Sequence, residues 1–263
     1  MMLNLKEIEE LFKDEFNVLN GMPNYLSLDQ IKEVSVYMDN DFKKKMKQVI
    51  DFGQLNDLRK INILLKRNFD SFLHYQTVLE RSGFIHHASI IQFTRRLNNL
   101  KDEPFHFDSK SLADSIISEE EFMQVWSRCM LNTDNQPSEL NIKDHMGAVK
   151  SELGSHWRES CILFLRKEQP IGISLPHIEP GTINEGRLFY FGMVPEERGK
   201  GIGAMLHRKS LVLLKEMGAD YYIGSTHKTN IKMQRIFLKN DCLIESYNET
   251  YSFNYIEFTN EQA

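Results

Sequence analysis

Apolar residues in the first third of the chain recur at intervals of three and four positions, a spacing that predicts amphipathic helices. Three stripes follow this spacing: Leu5, Ile8, Leu11 and Phe12; Ile31, Val34, Met38 and Phe42; and Leu58, Ile61, Leu65, Phe69, Phe72 and Leu79. The third stripe predicts one helix from Asn56 to Arg81, which Ser82 and Gly83 would end as a C-cap. We therefore expect residues 1–103 to form a mainly helical N-terminal domain.

The pattern changes beyond this region. The segment from Phe84 to Leu97 is rich in Ile and Phe and predicts a strand, and the polar stretch that ends at Pro104 predicts a domain boundary. The elements expected after it are a strand at 105–107, a helix at 118–131, strands at 160–166, 169–175 and 187–194, a helix at 201–217, a strand at 220–225, a helix at 230–239, and strands at 243–248 and 251–258. Residues 104–263 should thus form a mixed α/β domain.

Composition excludes several classes of protein. Hydrophobic residues make up 41% of 263, which is enough for a buried core, and the net charge of -5 argues against a nucleic-acid partner. Cys129, Cys161 and Cys242 lack paired metal-ligand spacing, so we expect reduced thiols, no bound metal and a cytoplasmic location. No stretch approaches the roughly 18 apolar residues of a membrane span, so no membrane partner is expected.

The segment Arg198-Gly199-Lys200-Gly201-Ile202-Gly203-Ala204 lies between a predicted strand and a predicted helix. Glycines so closely spaced let backbone N–H groups converge with no Cβ in the way, and the helix adds the positive end of its dipole. Cationic side chains surround the loop, namely Arg198, Lys200, Arg208 and Lys209. These features predict a site for a pyrophosphate.

Two other phosphate loops fit this spacing poorly. A P-loop needs a Gly-Lys-Ser/Thr ending, which the chain lacks. A dinucleotide fingerprint is satisfied by Gly199, Gly201 and Ala204, with Asp220 further on. However, residues 195–198 separate the first glycine from the strand, and Asp220 begins a strand where the ribose-binding acid should end one. A dinucleotide-binding oxidoreductase therefore ranks third, after the two functional hypotheses given below.

The segment from Phe189 to Ala204 resembles the motif of the GNAT superfamily of acyl-CoA-dependent N-acyltransferases. That motif, Arg or Gln, two residues, Gly, one residue, then Gly or Ala, falls on Arg198, Gly201 and Gly203. Asn230 resembles the asparagine that opens the next helix of the family. The resemblance extends over the order of elements from about Phe105 to Phe258.

The resemblance implies an α/β (α+β) fold with a mixed, mostly antiparallel central sheet, splayed strands and flanking helices, the acyl-CoA N-acyltransferase fold. It also implies that acetyl-CoA is the cosubstrate and lies between the strand ending at Val194 and the strand ending at Ser225. The residues it implies for cofactor binding are Gly192, Met193, Val194, Arg198, Gly199, Lys200, Gly201, Ile202, Gly203, Ala204, Asn230 and Phe237.

Transfer to an amine requires a base, because a lysine-like amine is unprotonated in only about one molecule per thousand at neutral pH. Glu185 is the first candidate, and His177 and Glu179 are weaker ones. The family often places a tyrosine where this chain has Phe237. Because a thiol with a pKa near 8.5 leaves tolerably as the anion, this departure should slow transfer without abolishing it, and Tyr190 is the candidate substitute, with Tyr247 as a further one.

The region around Leu79 to Arg95 is similar to the end of a second such domain, so residues 1–103 could be a degenerate GNAT-like copy before a GNAT domain at 104–263. The first functional hypothesis is an enzyme that transfers acetyl from acetyl-CoA to a primary amine of a small molecule or protein. The alternative is a catalytically weak acyl-CoA sensor or scaffold. The acceptor would be a small molecule or peptide, and homodimerisation is left open.

Overall fold

The structure, a computed structural model, describes residues 3–23, 25–33, 39–100, 104–114, 117–134 and 140–255. In chain order its helices and strands are α1 (Leu5–Phe12), β1 (Phe16–Gly21), β2 (Tyr25–Gln30), α2 (Asp39–Leu55), β3 (Lys60–Lys66), α3 (Phe72–Arg81), β4 (Ile85–Arg96), β5 (Asp108–Ser111), α4 (Glu119–Met130), α5 (Ile142–Leu153), α6 (Trp157–Ser160), β6 (Ile162–Arg166), β7 (Gln169–Ile178), β8 (Glu185–Met193), α7 (Gly203–Glu216), β9 (Tyr221–His227), α8 (Ile231–Lys239) and β10 (Leu243–Asn254). Within the described ranges, none of these helices combines the length and the apolar character needed to cross a bilayer.

The chain forms two compact units. The first unit comprises Met1–Ile91 with Ser246–Ala263, and the second comprises Gln92–Glu245. Ser246–Ala263 belongs to the first unit because β10 pairs with β3 in antiparallel register from Asn248 to Asn254. This grouping differs from a division at 103/104. The prediction that residues 1–103 and 104–263 are separate homologous domains stays a prediction.

The first unit contains a sheet with helices, in the strand order β1-β2-β3-β10-β4. Strands β2 and β3 are parallel and are connected through α2, whereas β1 pairs with β2 in antiparallel register. The buried core draws on the sheet and on all three helices, for example through Phe12, Ile63 and Leu79. The expectation of a mainly helical N-terminal domain is therefore wrong.

The error lies in the stripe from Leu58 to Leu79. Ile61, Ile63 and Leu65 are fully buried and alternate with half-buried or exposed residues along β3. Positions 61 and 65 share a face in a helix and also in a strand, since four residues is close to one helical turn and is two strand repeats. The β-branched residue at position 63 was the overlooked sign of a strand. The predicted end of the helix is confirmed, because α3 stops at Arg81 and Gly83 has φ of +88°.

The second unit has a sheet in which β5, β6, β7 and β8 are successively antiparallel and β9 is parallel to β8. Alternate residues of β6 point to opposite faces. Leu163 and Leu165 pack into a core that includes residues of α4 and α5, whereas Phe164 packs with Leu206 of α7 on the other face. The sheet is thus enclosed by helices on both sides, and the expected mixed α/β fold with a sheet between helices is confirmed.

Most predicted elements of this unit lie within a few residues of their expected places. The helix at 118–131 is α4, and Ser118 forms the capping box with Glu121. Three expectations need correction. The strand expected at 105–107 is β5 at Asp108–Ser111, the strands expected at 243–248 and 251–258 are the single strand β10 as far as it is described, and neither α5 nor α6 was predicted. The positions 34, 38 and 256–258 lie outside the described residues.

Candidate functional site

Strands β8 and β9 are parallel but pair only where they begin. Glu185 pairs with Tyr221 and Gly186 with Tyr222, and within the fully described strands no further pairs follow. Gly186 permits this close contact, because a Cβ there would lie 2.9 Å from Cβ of Ala219. Beyond these pairs the strands diverge, and a cleft of about 950 Å³ opens between them.

The cleft is lined by both diverging strands and by the segments that follow them. Its lining residues are Cys129, Asn132, Thr133, Asp134, Arg187 to Met193, Arg198, Gly199, Gly201, Gly203, Ala204, Tyr222 to Thr226, Asn230, Lys232, Met233, Arg235, Ile236, Phe237 and Lys239. Val194, Lys200, Ile202 and Glu185 are the predicted site residues that are absent from this lining. All of these residues belong to the second unit.

Strand β8 presents an unpaired edge to the cleft. Its other edge pairs with β7, in which Ser174 faces Phe191 and Pro176 faces Leu188, so that β8 carries one more residue than β7 between these pairs. A bulge of this kind leaves backbone groups outside the ladder and redirects a strand. The N–H of Val194 is not available to a ligand, because it donates to the carbonyl of Ile171 at 3.2 Å.

The start of α7 provides a row of backbone donors beside this edge. From Gly199 to Ala204, no backbone N–H has an acceptor within hydrogen-bond distance among the described residues. Gly199 and Gly201 have φ of +76° and +80°, and the position of a Cβ on either would be in open space. Alternating positive φ turns successive N–H groups towards a common point, and the dipole of α7 adds positive potential. This segment has the geometry of an oxyanion nest.

The sequence suggested that Arg198 is a cation for the pyrophosphate, but in the structure its guanidinium binds backbone carbonyls of the protein. Its guanidinium donates to the carbonyls of Met193, Leu131, Asn132 and Cys129 at 3.1, 2.6, 3.0 and 2.9 Å. The side chain therefore joins the end of β8 to the end of α4. Its charge still lies at the cleft, but four of its five N–H donors are used by the protein itself.

Other cationic side chains around the cleft differ in whether they have an ion-pair partner. Lys200 donates to Glu197 at 2.8 Å, and Lys232 lies 3.1 Å from Asp134. Arg235 and Lys239 on α8 are exposed, and neither has an ion-pair partner in the part of the chain that the structure describes. These two side chains could contact phosphate groups that the nest does not reach.

Tyr190 lines the cleft, and its hydroxyl is engaged by the protein backbone. The hydroxyl donates to the carbonyl of Cys129 at 3.0 Å, and the ring packs against Trp126. Burial raises the pKa of Tyr190, so that the phenol remains protonated. Burial also raises the pKa of the Cys129 thiol to about 12, which excludes a thiolate at neutral pH.

Glu185 lies at the closed end of the cleft, where β8 and β9 pair. Its carboxylate accepts from Nε of Arg187 at 2.6 Å and from the hydroxyl of Tyr221 at 3.0 Å, and its side chain is largely buried. The structure thus places this candidate base outside the lining of the cleft. Its role as a base stays a prediction without geometric support.

His177 and Glu179 lie with Glu152 in the one group of potential metal ligands found among the described residues. Nε2 of His177 is 3.4 Å from Oε2 of Glu179 and 3.8 Å from Oε1 of Glu152. Arg187 also contacts Glu179, with Nε 3.4 Å from Oε2. The three residues lie outside the lining of the cleft, so they are poor candidates for its base, and the absence of a metal stays a prediction.

Phe237 belongs to a buried aromatic cluster at the floor of the cleft. Its ring lies 5.3 Å from that of His207, 6.2 Å from that of Tyr222 and 4.7 Å from that of Phe93, measured between centroids. Asn230 begins α8 and accepts from the N–H of Met233 at 3.0 Å. Tyr222 and His207 were not predicted as members of this cluster, and the sign in the local sequence is the glycine two residues after Tyr222.

Comparison with known proteins agrees with this geometry. Residues 119–241 match the model of the acetyltransferase (GNAT) family. No curated protein matches the chain. Three solved structures have a similar fold: a GCN5-related N-acetyltransferase from Sphaerobacter thermophilus, with 14% identity over 91% of this chain and 76% of the other and a TM-score of 0.61; a tandem GNAT protein from the clavulanic acid biosynthesis pathway, with 10% identity over 91% and 78% and a TM-score of 0.55; and a GCN5-related N-acetyltransferase from Kribbella flavida, with 9% identity over 96% and 94% and a TM-score of 0.55. At these identities the similarity concerns the fold.

Proposed function

We propose that this protein transfers acetyl from acetyl-CoA to a primary amine of a small molecule or protein, since residues 119–241 match the model of the GNAT acetyltransferase family. The observation that carries the proposal is the row of acceptor-free N–H groups from Gly199 to Ala204, located at the mouth of the cleft between β8 and β9. No described residue accepts from these donors, and a pyrophosphate would satisfy such a nest.

The residues around the nest are suited to the rest of acetyl-CoA. Met193 faces the open edge of β8, because its neighbour Val194 directs its N–H to β7, and there the N–H of Met193 could pair with an amide of the pantetheine as in an added strand. Arg235 and Lys239 would supply charge to the outer phosphate. Open space at Gly199 and Gly201 leaves room for the phosphate oxygens.

The chemistry of the proposed reaction makes acetyl-CoA the acyl donor and an amine the nucleophile. The bulged part of β8 between Leu188 and Phe191 would present a backbone N–H to the thioester oxygen, where negative charge develops. Among the described residues, the carboxylate of Glu185 is held by Arg187 and Tyr221, and that of Asp134, which lines the cleft, is paired with Lys232. We expect water at the open cleft to accept the proton of the amine.

A second function is favoured by one observation. Phe237 offers no proton to a leaving thiolate and the carboxylate of Glu185 is engaged, so a weak enzyme that serves as an acyl-CoA sensor fits the same site. Turnover separates the two functions. Purified protein incubated with acetyl-CoA and a panel of amines, amino acids and peptides should release free thiol, and tight CoA binding without release would favour the sensor.

We also propose that residues 1–103 are a degenerate copy that does not hold CoA. The order β3, α3 and β4 in the first unit repeats the order β8, α7 and β9 in the second. The connection between β3 and α3, Arg67-Asn68-Phe69-Asp70-Ser71, has no glycine and contains an acid. Isotope-labelled protein titrated with CoA should therefore show chemical-shift changes in the second unit, and equal changes around Arg67 would overturn this proposal.

A further inference from the structure

Tyr222 is a buried tyrosine in the lining of the cleft, and its hydroxyl proton has no acceptor among the residues that the structure describes. The side chain lines the cleft although the residue is only 2% exposed. Its hydroxyl oxygen extends over Gly224 of the same strand, which also lines the cleft. Tyr222 contacts Phe237 through its ring, so a phenol is present beside the position where the family resemblance led us to expect one.

The direction of the hydroxyl proton follows from the groups behind it. Nδ2 of Asn240 lies 3.0 Å from Nδ1 of His207, and the same nitrogen donates to the carbonyls of Ala204 and Ile236. The two carbonyl acceptors identify this atom as the amide nitrogen, which cannot accept, so a proton on Nδ1 of His207 would face a donor and Nδ1 is the nitrogen without a proton. A neutral histidine that accepts at Nδ1 carries its proton at Nε2.

Nε2 of His207 therefore donates to the hydroxyl oxygen of Tyr222, over a long hydrogen bond of 3.4 Å. His207 stays neutral because burial, together with the charge of Arg95, lowers its pKa to about 3. Since the tyrosine oxygen receives this bond, its own proton points elsewhere. Among the described residues the hydroxyl of Tyr222 has no acceptor for that proton, and the side that remains open is the cleft.

We infer that Tyr222 is a catalytic residue that donates its hydrogen bond to the sulfur of the departing CoA thiolate, and that His207 and Asn240 position it. This inference rests on the proposed acetyl transfer. In the reaction the amine nitrogen forms a bond to the acyl carbon, the bond from carbon to sulfur breaks, and its electron pair goes to sulfur. The sulfur gains one proton through Tyr222, and the proton that the amine releases restores Tyr222.

The experiment measures the pKa of the thiol of bound CoA, which needs no acceptor. The ultraviolet absorbance of thiolate is followed with pH for the complex with CoA, and the complex with desulfo-CoA is subtracted. The protein thiols do not interfere, because burial raises the pKa of Cys129, Cys161 and Cys242 to about 12 in each case. Tyr222→Phe should bind CoA as tightly as the wild type and should raise the pKa of the bound thiol by about one unit or more.

A matched control is Tyr25→Phe, which removes a hydroxyl from a tyrosine of the first unit and should leave the pKa of the thiol unchanged. With an active acceptor, Tyr222→Phe should also lower kcat about tenfold, less than general acids usually contribute because thiolate is a good leaving group, with KM for acetyl-CoA unchanged. Equal thiol pKa values in wild type and Tyr222→Phe would overturn the role of Tyr222 alone. Failure of the wild type to bind CoA would overturn the proposed function as well, so the two failures are distinguishable.

Discussion

The hydroxyl oxygen of Tyr222 lies 2.1 Å from the position that a Cβ at residue 224 would occupy, so Gly224 gives this hydroxyl its place. Residues two apart in a strand share a face, and here the longer side chain lies along the strand over the glycine. Gly192 has the same relationship with Tyr190, whose hydroxyl is 2.8 Å from the corresponding position. Each strand that borders the cleft thus uses a glycine to make room for a tyrosine.

Gly224→Ala should displace the hydroxyl of Tyr222 and reduce the rate of acetyl transfer about as much as Tyr222→Phe does. A Cβ cannot approach an oxygen to 2.1 Å, and the tyrosine is the group that must move. Steady-state kinetics with saturating acetyl-CoA would measure the effect. Gly147→Ala is the control: it lies in α5 with open space at the Cβ position and should raise the free energy of unfolding by about 0.5–1 kcal/mol. Full activity of Gly224→Ala would contradict the placement of Tyr222.

Gly201→Glu should abolish acetyl-CoA binding while the protein remains folded. The substitution adds a negative charge and a side chain to the nest, and position 201 has φ of +80°, which a glutamate adopts at a cost of about 1–2 kcal/mol. Calorimetric titration with acetyl-CoA would measure affinity. Gly181→Glu carries the same strain, since Gly181 has φ of +85° and open space, but lies outside the cleft lining. Affinity that survives Gly201→Glu would refute the placement of the pyrophosphate.

Arg198→Lys should destabilise the second unit rather than only weaken phosphate binding. Lysine keeps the charge but cannot supply the fork of donors that reaches the carbonyls of Met193, Leu131, Asn132 and Cys129. We expect a loss of about 2 kcal/mol or more in the free energy of unfolding, measured with urea. Lys200→Ala, which removes one half-exposed ion pair with Glu197, should cost less than about 1 kcal/mol. An Arg198→Lys protein with native stability but lost affinity would show that the guanidinium serves the ligand.

The stability of the second unit should fall below pH 6.5 because of His207. Its pKa is about 3 in the folded protein and 6.5 in the reference state, so the unfolded chain takes up a proton first as the pH falls. The contribution of uncharged His207 to the free energy of unfolding is complete above pH 6.5 and is lost between pH 6.5 and 3. From pH 6.5 to 5 the wild type should lose about 2 kcal/mol more than His207→Gln, which has no such proton to bind. Parallel pH profiles of the two proteins would show that His207 is not buried as described.

The conformation of the glycine-rich loop from Arg198 to Ala204 was predictable from sequence because it is set by neighbouring residues. Gly199, Gly201 and Gly203 set the backbone conformation, and the helix that follows supplies its dipole without help from distant residues. The role of Arg198 was not predictable, since its acceptors Leu131 and Asn132 are far away in sequence and reach it only through the packing of α4 against the sheet. Its position in the glycine-rich loop suggested that Arg198 contacts a ligand, whereas its guanidinium connects the end of β8 to the end of α4.

The distinction between local and distant interactions also explains why the sheet of the first unit and the position of Tyr222 were not predicted. Ile61 and Leu65 satisfy both the helical and the strand period, and only the pairing of β3 with β2 and β10 decides between them. Tyr222 depends on His207 of α7 and on Asn240 after α8, which come together only when both helices pack under β9. No spacing within one element carries that information.

Asn240 should influence the rate through Tyr222, and a double-mutant cycle tests this coupling. Asn240→Leu removes the donor that fixes the proton of His207 at Nε2, so part of the population would turn Nε2 into an acceptor and capture the hydroxyl proton of Tyr222. In the wild-type background kcat should fall, with an apparent coupling of about 0.5–3 kcal/mol to Tyr222→Phe. In the Tyr222→Phe background, Asn240→Leu should lower kcat no further, because the proton that it misdirects is already gone. General damage to the fold would instead lower kcat by the same factor in both backgrounds, so additive effects would remove Asn240 and His207 from the role of positioning residues.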